Sequence, residues 1–189
     1  MCSFGKKSIV SDQEHPLSFR EARPDPAQRE QQLRQERLPI TLVLDQLSDP
    51  RNIGSMFRLA DAARLQEIIM VGMPQMAKQE KVKRVARATL QYVPWRQVYD
   101  VKECMEAVQG DLWALEWTNQ SVPYHRWRGE MPIGLVIGNE QRGVSKAFLT
   151  ACRGSLHLPM LGMNTSMNVS VAAGIAVYGL LQQQGLLEE

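Results

Sequence analysis

The chain is poor in the residues that many chemistries require. Its three cysteines, Cys2, Cys104 and Cys152, are odd in number and far apart, which argues against a disulfide framework or a zinc site. A reducing, cytoplasmic setting with no resident metal is expected. The three histidines, His15, His125 and His157, lie outside the glycine turns. With no G-x-S-x-G elbow either, a hydrolase would lack a nucleophile and base in context. Neither G-x-G-x-x-G nor G-x-x-x-x-G-K-[ST] occurs, which disfavours a standard nicotinamide enzyme or a nucleotide triphosphatase. The longest apolar stretch runs from Val169 to Leu181, short of the ~20 residues that a membrane span needs. Lys6, Lys7, Asp12 and Glu14 interrupt the N-terminus, so neither a secretory signal nor a membrane anchor is expected.

Charge is balanced rather than scarce: 22 Lys and Arg stand against 20 Asp and Glu, a net charge of +2. Totals this mild leave nucleic-acid binding open. What the chain does have is 44% hydrophobic residues, enough for one domain with a modest extension. Residues 1–38 are polar, with Pro16, Pro24 and Pro26 ahead of a Gln-, Glu- and Arg-dense segment from Gln28 to Arg37. This composition predicts a loosely held arm and a short solvated helix. An RNA-contacting arm, a surface extension and a dimer strap all fit it.

From Pro39 the texture changes. Apolar runs predict strands at 40–44, 68–72, 98–99, 112–115, 133–137 and 156–158. Helices are predicted at 52–64, 77–90, 102–108, 146–151 and 169–184, the first after the turn Ser48-Asp49-Pro50. Strands apolar throughout and alternating with helices imply an α/β domain, a mostly parallel sheet covered by helices on both faces. A ligand then belongs at the carboxyl ends of the strands. The 77–90 helix carries Lys78, Lys81, Lys83, Arg84 and Arg87, a solvated face or a phosphate contact. The closing helix is apolar nearly all round, so core and dimer contacts are expected to bury it, with Gly174 and Gly179 permitting close approach.

Three polar clusters stand where apolar strands meet helices. In Leu158-Pro159-Met160-Leu161-Gly162-Met163-Asn164-Thr165-Ser166-Met167-Asn168, Ser166 is a competent N-cap and Asn168 can donate and accept in the first turn. The others are Gly138-Asn139-Glu140-Gln141-Arg142-Gly143 and Asn52-Ile53-Gly54-Ser55-Met56-Phe57-Arg58. Asn52 and Arg58 are six residues apart, about 240° around one helix, so both reach one site only if Asn52 stands at or before the helix start. A plain N-cap is its other reading, as a surface ion pair is for Arg58. Glu140, at the end of a buried strand, needs hydrogen bonds, and a purely structural network would supply them.

In order and spacing, the clusters resemble the three motifs of the SpoU/TrmH family of RNA ribose 2'-O-methyltransferases, of the SPOUT class. Residues 52–60 resemble the first motif, 136–145 the second and 158–173 the third, within a likeness spanning about residues 40–184. The resemblance implies a methyltransferase domain over 39–189 with a C-terminal trefoil knot, against the general rule that chains are unknotted. It also implies S-adenosylmethionine as cofactor, an RNA substrate, and a homodimer with the site near the subunit interface. Carried over residue by residue, it puts Leu115, Gly138, Leu158 and Met167 against the cofactor and Asn52, Arg58, Glu140, Ser166 and Asn168 in catalysis. Arg58 would be the base or the clamp that stabilises the alkoxide. Only the polar arm stands where some relatives carry a large RNA-binding domain, so tRNA is favoured slightly over rRNA. The alternative is an RNA-binding or assembly protein that keeps the fold without turnover.

Overall fold

The computed structural model describes Asp25, Gln28, Gln31 and residues 37–73 and 79–187. It divides into two units, Met1–Glu36 and Arg37–Glu189. In the first, Asp25 and Gln28 cap reciprocally: Gln28 N–H donates to Asp25 Oδ1 at 2.8 Å and Asp25 N–H to Gln28 Oε1 at 3.0 Å, a helix-start pattern. The rest of the predicted arm and solvated helix, save Gln31, Arg37 and Leu38, lies outside the described residues, as does Lys78; Leu38 opens the first strand rather than closing the arm.

The second unit is a seven-stranded sheet, all of whose pairings are parallel. Its strands are β1 (Leu38–Asp45), β2 (Leu65–Val71), β3 (Trp95–Val98), β4 (Asp111–Leu115), β5 (Val122–Pro123), β6 (Ile133–Ile137) and β7 (Gly154–His157), in the spatial order β3-β2-β1-β6-β4-β7-β5. The helices are α1 (Pro50–Ala62), α2 (Glu80–Ala86), α3 (Thr89–Tyr92), α4 (Val101–Ala107), α5 (Lys146–Ala151) and α6 (Val169–Gln183).

Period-two alternation divides the core. Ile40, Leu42 and Leu44 of β1, with Ile68, Met70, Leu135 and Ile137, face one layer, where α1 and α6 supply Ile53, Met56, Phe57, Ala176 and Leu180. Val43, Ile69, Ala114 and Val136 face the other, against Cys104 of α4 and Phe148 of α5. Both faces of the central strands are therefore dry, which is why they read as continuous apolar runs rather than alternating ones.

Several predicted boundaries change. The single helix at 77–90 is two, α2 and α3, because Arg87 adopts φ 56°, a left-handed conformation that no helix continues through. The third strand lies at Trp95–Val98 and excludes Tyr99, and the last lies at Gly154–His157 and excludes Leu158. The two-residue β5 had no periodicity to announce it. Of the two helix glycines, Gly179 does meet a neighbour: a Cβ there would lie 2.3 Å from Tyr124 Cε2, whereas nothing stands within 4 Å of one at Gly174. The closing helix is not wholly covered, since Val171, Ile175 and Tyr178 form an exposed stripe. No helix among the described residues is long and apolar enough to cross a membrane.

Candidate functional site

The carboxyl ends of β6, β4 and β7, the start of α1 and the chain between β7 and α6 surround one cavity of about 1020 Å³. Gly138 forms part of its wall where β6 ends. A Cβ at Gly138 would fall 2.2 Å from Gly143 C and from Val144 N, so only glycine lets the next turn fold back on the strand. That turn is closed by two backbone hydrogen bonds between Asn139 and Gly143, at 3.0 and 2.9 Å. Asn139 fixes it further, donating Nδ2–H to the Gln46 carbonyl at 2.7 Å and accepting the Gln141 and Arg142 N–H groups on Oδ1.

The turn aims Glu140 at the start of α1. Its Oε2 accepts from Ser48 N–H at 3.0 Å and Ser48 Oγ–H at 2.9 Å, and its Oε1 accepts from Asp49 N–H and Asn52 Nδ2–H, both at 3.0 Å. Asn52, only 7% exposed, passes the chain on by accepting Asn168 Nδ2–H on Oδ1 at 3.1 Å. Asn168 Oδ1 in turn accepts the Ser170 and Val171 N–H groups at 2.9 and 3.3 Å, capping α6. One hydrogen-bonded chain, Glu140–Asn52–Asn168, thus joins residues separated by more than a hundred positions.

Burial would raise the Glu140 pKa, but hydrogen bonds from Asn52 and from the Ser48, Glu140 and Asp49 backbone outweigh it and hold the carboxyl at about 2. A folded-state value below the ordinary 4.5 means that ionised Glu140 stabilises the fold fully above that pH, and that the contribution is lost as pH falls toward about 2. Glu140→Gln must aim an NH₂ at donors whichever way its amide turns, so a loss of about 1–3 kcal/mol is expected. Thermal melts should show the gap from wild type narrowing as pH drops below 4.5; a gap independent of pH would contradict the assignment.

Two predicted details are corrected. Asn52 does not stand at or before the helix start: Asp49 is the N-cap, Pro50 opens α1, and Asn52 lies inside the first turn. The 240° separation therefore holds, and Arg58 is exposed, beyond the lining of the cavity. Ser166 is not the N-cap of α6, which is Asn168; Ser166 lines the cavity instead, together with Leu115, Gly138, Leu158 and Met167. Arg142 also lines it, with Nη2 3.4 Å from Gln46 Oε1. On α2, Lys83 pairs with Glu80 at 2.7 Å; Lys81, Arg84 and, just past the helix end, Arg87 are exposed, and Lys81 helps to hold the Asp49 carboxyl below its ordinary value, after the larger effect of Arg51.

Sequence reasoning missed the neighbours that brace these groups. Glu116 accepts Trp117 N–H on Oε1 at 3.0 Å and Val144 N–H on Oε2 at 2.9 Å, tying β4 to the Gly138 turn. Its place just after an apolar strand was the available signal. Buried Asp45, at the end of β1, accepts Ser145 N–H at 2.7 Å and anchors the start of α5. His157 lines the cavity although it lies outside every glycine turn. Nucleophilic sulfur is absent from the described site: burial pushes the Cys104 and Cys152 thiols up to about 12, leaving both protonated near neutrality.

Residues 39–178 match the model of the SpoU rRNA Methylase family. A Staphylococcus saprophyticus protein named for the TrmH family of tRNA/rRNA methyltransferases is 30% identical over 159 residues, 83% of this chain and 64% of the relative. The chain thus spans somewhat less than two thirds of the length of that relative. The SpoU methyltransferase AviRb from Streptomyces viridochromogenes, in complex with the cofactor AdoMet, superposes with a TM-score of 0.71 at 27% identity, covering 80% of this chain and 59% of that one. The A. aeolicus TrmH/SpoU tRNA modifying enzyme superposes with a TM-score of 0.73 at 24% identity over 85% and 86% of the two chains. With the family match covering most of the parallel-sheet domain and all three clusters around its cavity, the chain belongs to the SpoU rRNA Methylase family.

Proposed function

We propose that the protein transfers a methyl group from S-adenosylmethionine to a ribose 2'-hydroxyl in tRNA or rRNA. The observation that carries this reading is the Glu140–Asn52–Asn168 chain, which draws all three motifs to the mouth of one cavity. The cavity's residues suit the cofactor. At about 1020 Å³ it lies just above the roughly 300–1,000 Å³ range of small-molecule sites, and Gly138 leaves backbone open where a side chain would intrude. Leu115, Leu158 and Met167 offer it apolar walls, with Gly138 supplying main chain.

When bound, S-adenosylmethionine supplies an electrophilic methyl carbon on a sulfonium. The protein must then orient the ribose hydroxyl, accept or relay its proton and stabilise developing negative charge. Asn52 and Asn168 are locked in orientation by their mutual hydrogen bond and by Glu140, so they are positioning groups that order the start of α6. Ser166, exposed at the same opening, contacts the substrate. Arg58 clamps an RNA phosphate and stabilises the alkoxide, a role that the planar, cationic donor fork of a guanidinium suits better than proton abstraction.

Arg58 stands off the cavity of its own protomer, and a homodimer accounts for that. Val171, Ile175 and Tyr178 repeat at helical spacing on α6 and are 53%, 38% and 41% exposed, while α6 packs beside α1. Pairing through this stripe brings the α1 face bearing Arg58 to a subunit interface. Ile175→Glu is expected to shift the molar mass in light scattering from dimer to monomer and to depress activity with it. A trefoil knot belongs to the same reading, supported by a sheet order in which β6 separates β1 from β4 and by the return of the chain after β7 to α1 through Asn168.

Labelled S-adenosylmethionine incubated with unmodified bulk tRNA and rRNA tests the substrate class. Incorporation into one pool, falling steeply between about 50 and 200 mM salt as polyanion contacts are lost, is the expected result. Salt-insensitive transfer to small molecules alone would overturn it.

A further inference from the structure

Beyond β4, the rim of the cavity carries Trp117, 55% exposed. One face of its indole is covered: it stacks on His157, with ring centroids 5.8 Å apart and planes 14° from parallel. The imidazole is held in turn, its Nδ1 2.9 Å from Ser121 Oγ. Ser121 Oγ accepts Thr118 N–H at 3.1 Å and donates its single hydrogen to the Thr118 carbonyl at 2.8 Å. In that network Nδ1 of His157 is the donor to Ser121, which sets the tautomer and the plane of the ring. Glu116 secures the Trp117 backbone through Oε1 at 3.0 Å.

The indole is therefore held by the imidazole and by its own main chain, while just over half of the residue stays exposed at the edge of the cavity. A large aromatic ring kept half-exposed in one orientation is ready to stack a flat partner without a further ordering cost. Nucleobases suit it, since every base has a π-face and stacking asks for no particular hydrogen-bond pattern. The strand-end leucines Leu115, Leu156 and Leu158, of which Leu156 is fully buried, line the same cavity and would give the cofactor a drier seat.

We propose that Trp117, backed by His157, stacks a nucleobase of the RNA beside the nucleotide whose ribose is methylated. This rests on the RNA methyltransferase reading and adds a residue that grips single-stranded RNA to it. Unpaired bases are what proteins usually stack in RNA, so the substrate is expected to present its target in a loop or bulge rather than in a continuous duplex.

Steady-state kinetics on Trp117→Ala and Trp117→Phe, with the unmodified RNA pool that the wild type methylates, test it. Trp117→Ala is expected to raise KM for RNA about tenfold or more, with the dissociation constant of S-adenosylhomocysteine unchanged. Trp117→Phe, which keeps an aromatic face, should recover most of the loss. An unchanged KM in Trp117→Ala would overturn the proposal. So would an equal weakening of S-adenosylhomocysteine binding, which would give the ring to the cofactor's adenine. A wild-type protein that binds S-adenosylhomocysteine but methylates no RNA overturns the underlying reading instead.

Discussion

Arg58→Ala is expected to lower methyl transfer by about 10²–10³-fold, the scale on which removal of one preorganised group facing developing charge is felt. Arg58 is exposed on α1 and makes no ion pair among the described residues. Its loss therefore removes no core packing, and the melting temperature and S-adenosylhomocysteine affinity should stay at wild-type values. Arg58→Lys separates a guanidinium fork from a simple positive charge. A clamp that uses the guanidinium fork loses most of its activity to the compact ammonium, whereas a group needed only for charge recovers much of it. Loss of RNA affinity alone, with turnover on saturating RNA intact, would instead make Arg58 an RNA-binding residue with no part in the chemical step.

Gly138→Ala carries the second large effect. The added Cβ falls 2.2 Å from Gly143 C and Val144 N, backbone atoms that cannot rotate away as a side-chain tip could. The turn must open, breaking the Asn139–Gly143 hydrogen bonds and swinging Glu140 off the start of α1. Overpacking costs of about 1–3 kcal/mol are expected in stability. The site suffers more, because the cavity wall and the Glu140–Asn52–Asn168 chain move together. Calorimetric titration with S-adenosylhomocysteine should show affinity reduced at least ~100-fold, the scale on which a displacement near 1 Å is felt. Unchanged binding would mean that the wall formed by Gly138 is not where the cofactor lies.

The strands were legible because both their faces are dry. Ile40 to Leu44 and Ile133 to Ile137 are apolar at every or nearly every position, and no solvated element offers that pattern. The site was legible as three clusters because strand-to-helix turns concentrate Asn, Gly, Ser and Glu. Its wiring was not legible, because Glu140 reaches Asn52 across 88 positions and Asn52 reaches Asn168 across 116, distances over which local rules are silent. Asp49-Pro50 does carry the start of α1 in view, as an N-cap followed by proline at the first helical position, which puts Asn52 inside the helix. The cap of α6 turned on a choice between two competent residues, Ser166 and Asn168, and the backbone path chose the second. Arg87 gives no composition signal for its left-handed break, since glycine is the residue that usually marks one. His157 and Trp117 needed the fold itself, because β4 and β7 become neighbours only in the sheet.

The site of the methyl group on the product tests the central claim most directly. RNA methylated by the protein with labelled S-adenosylmethionine should be digested with alkali, which needs a free 2'-hydroxyl to cleave the adjacent phosphodiester. Label recovered in alkali-stable dinucleotides, and after enzymatic digestion in a 2'-O-methylated nucleoside, is the result that a ribose 2'-O-methyltransferase predicts. Label recovered in mononucleotides as a methylated base would contradict it.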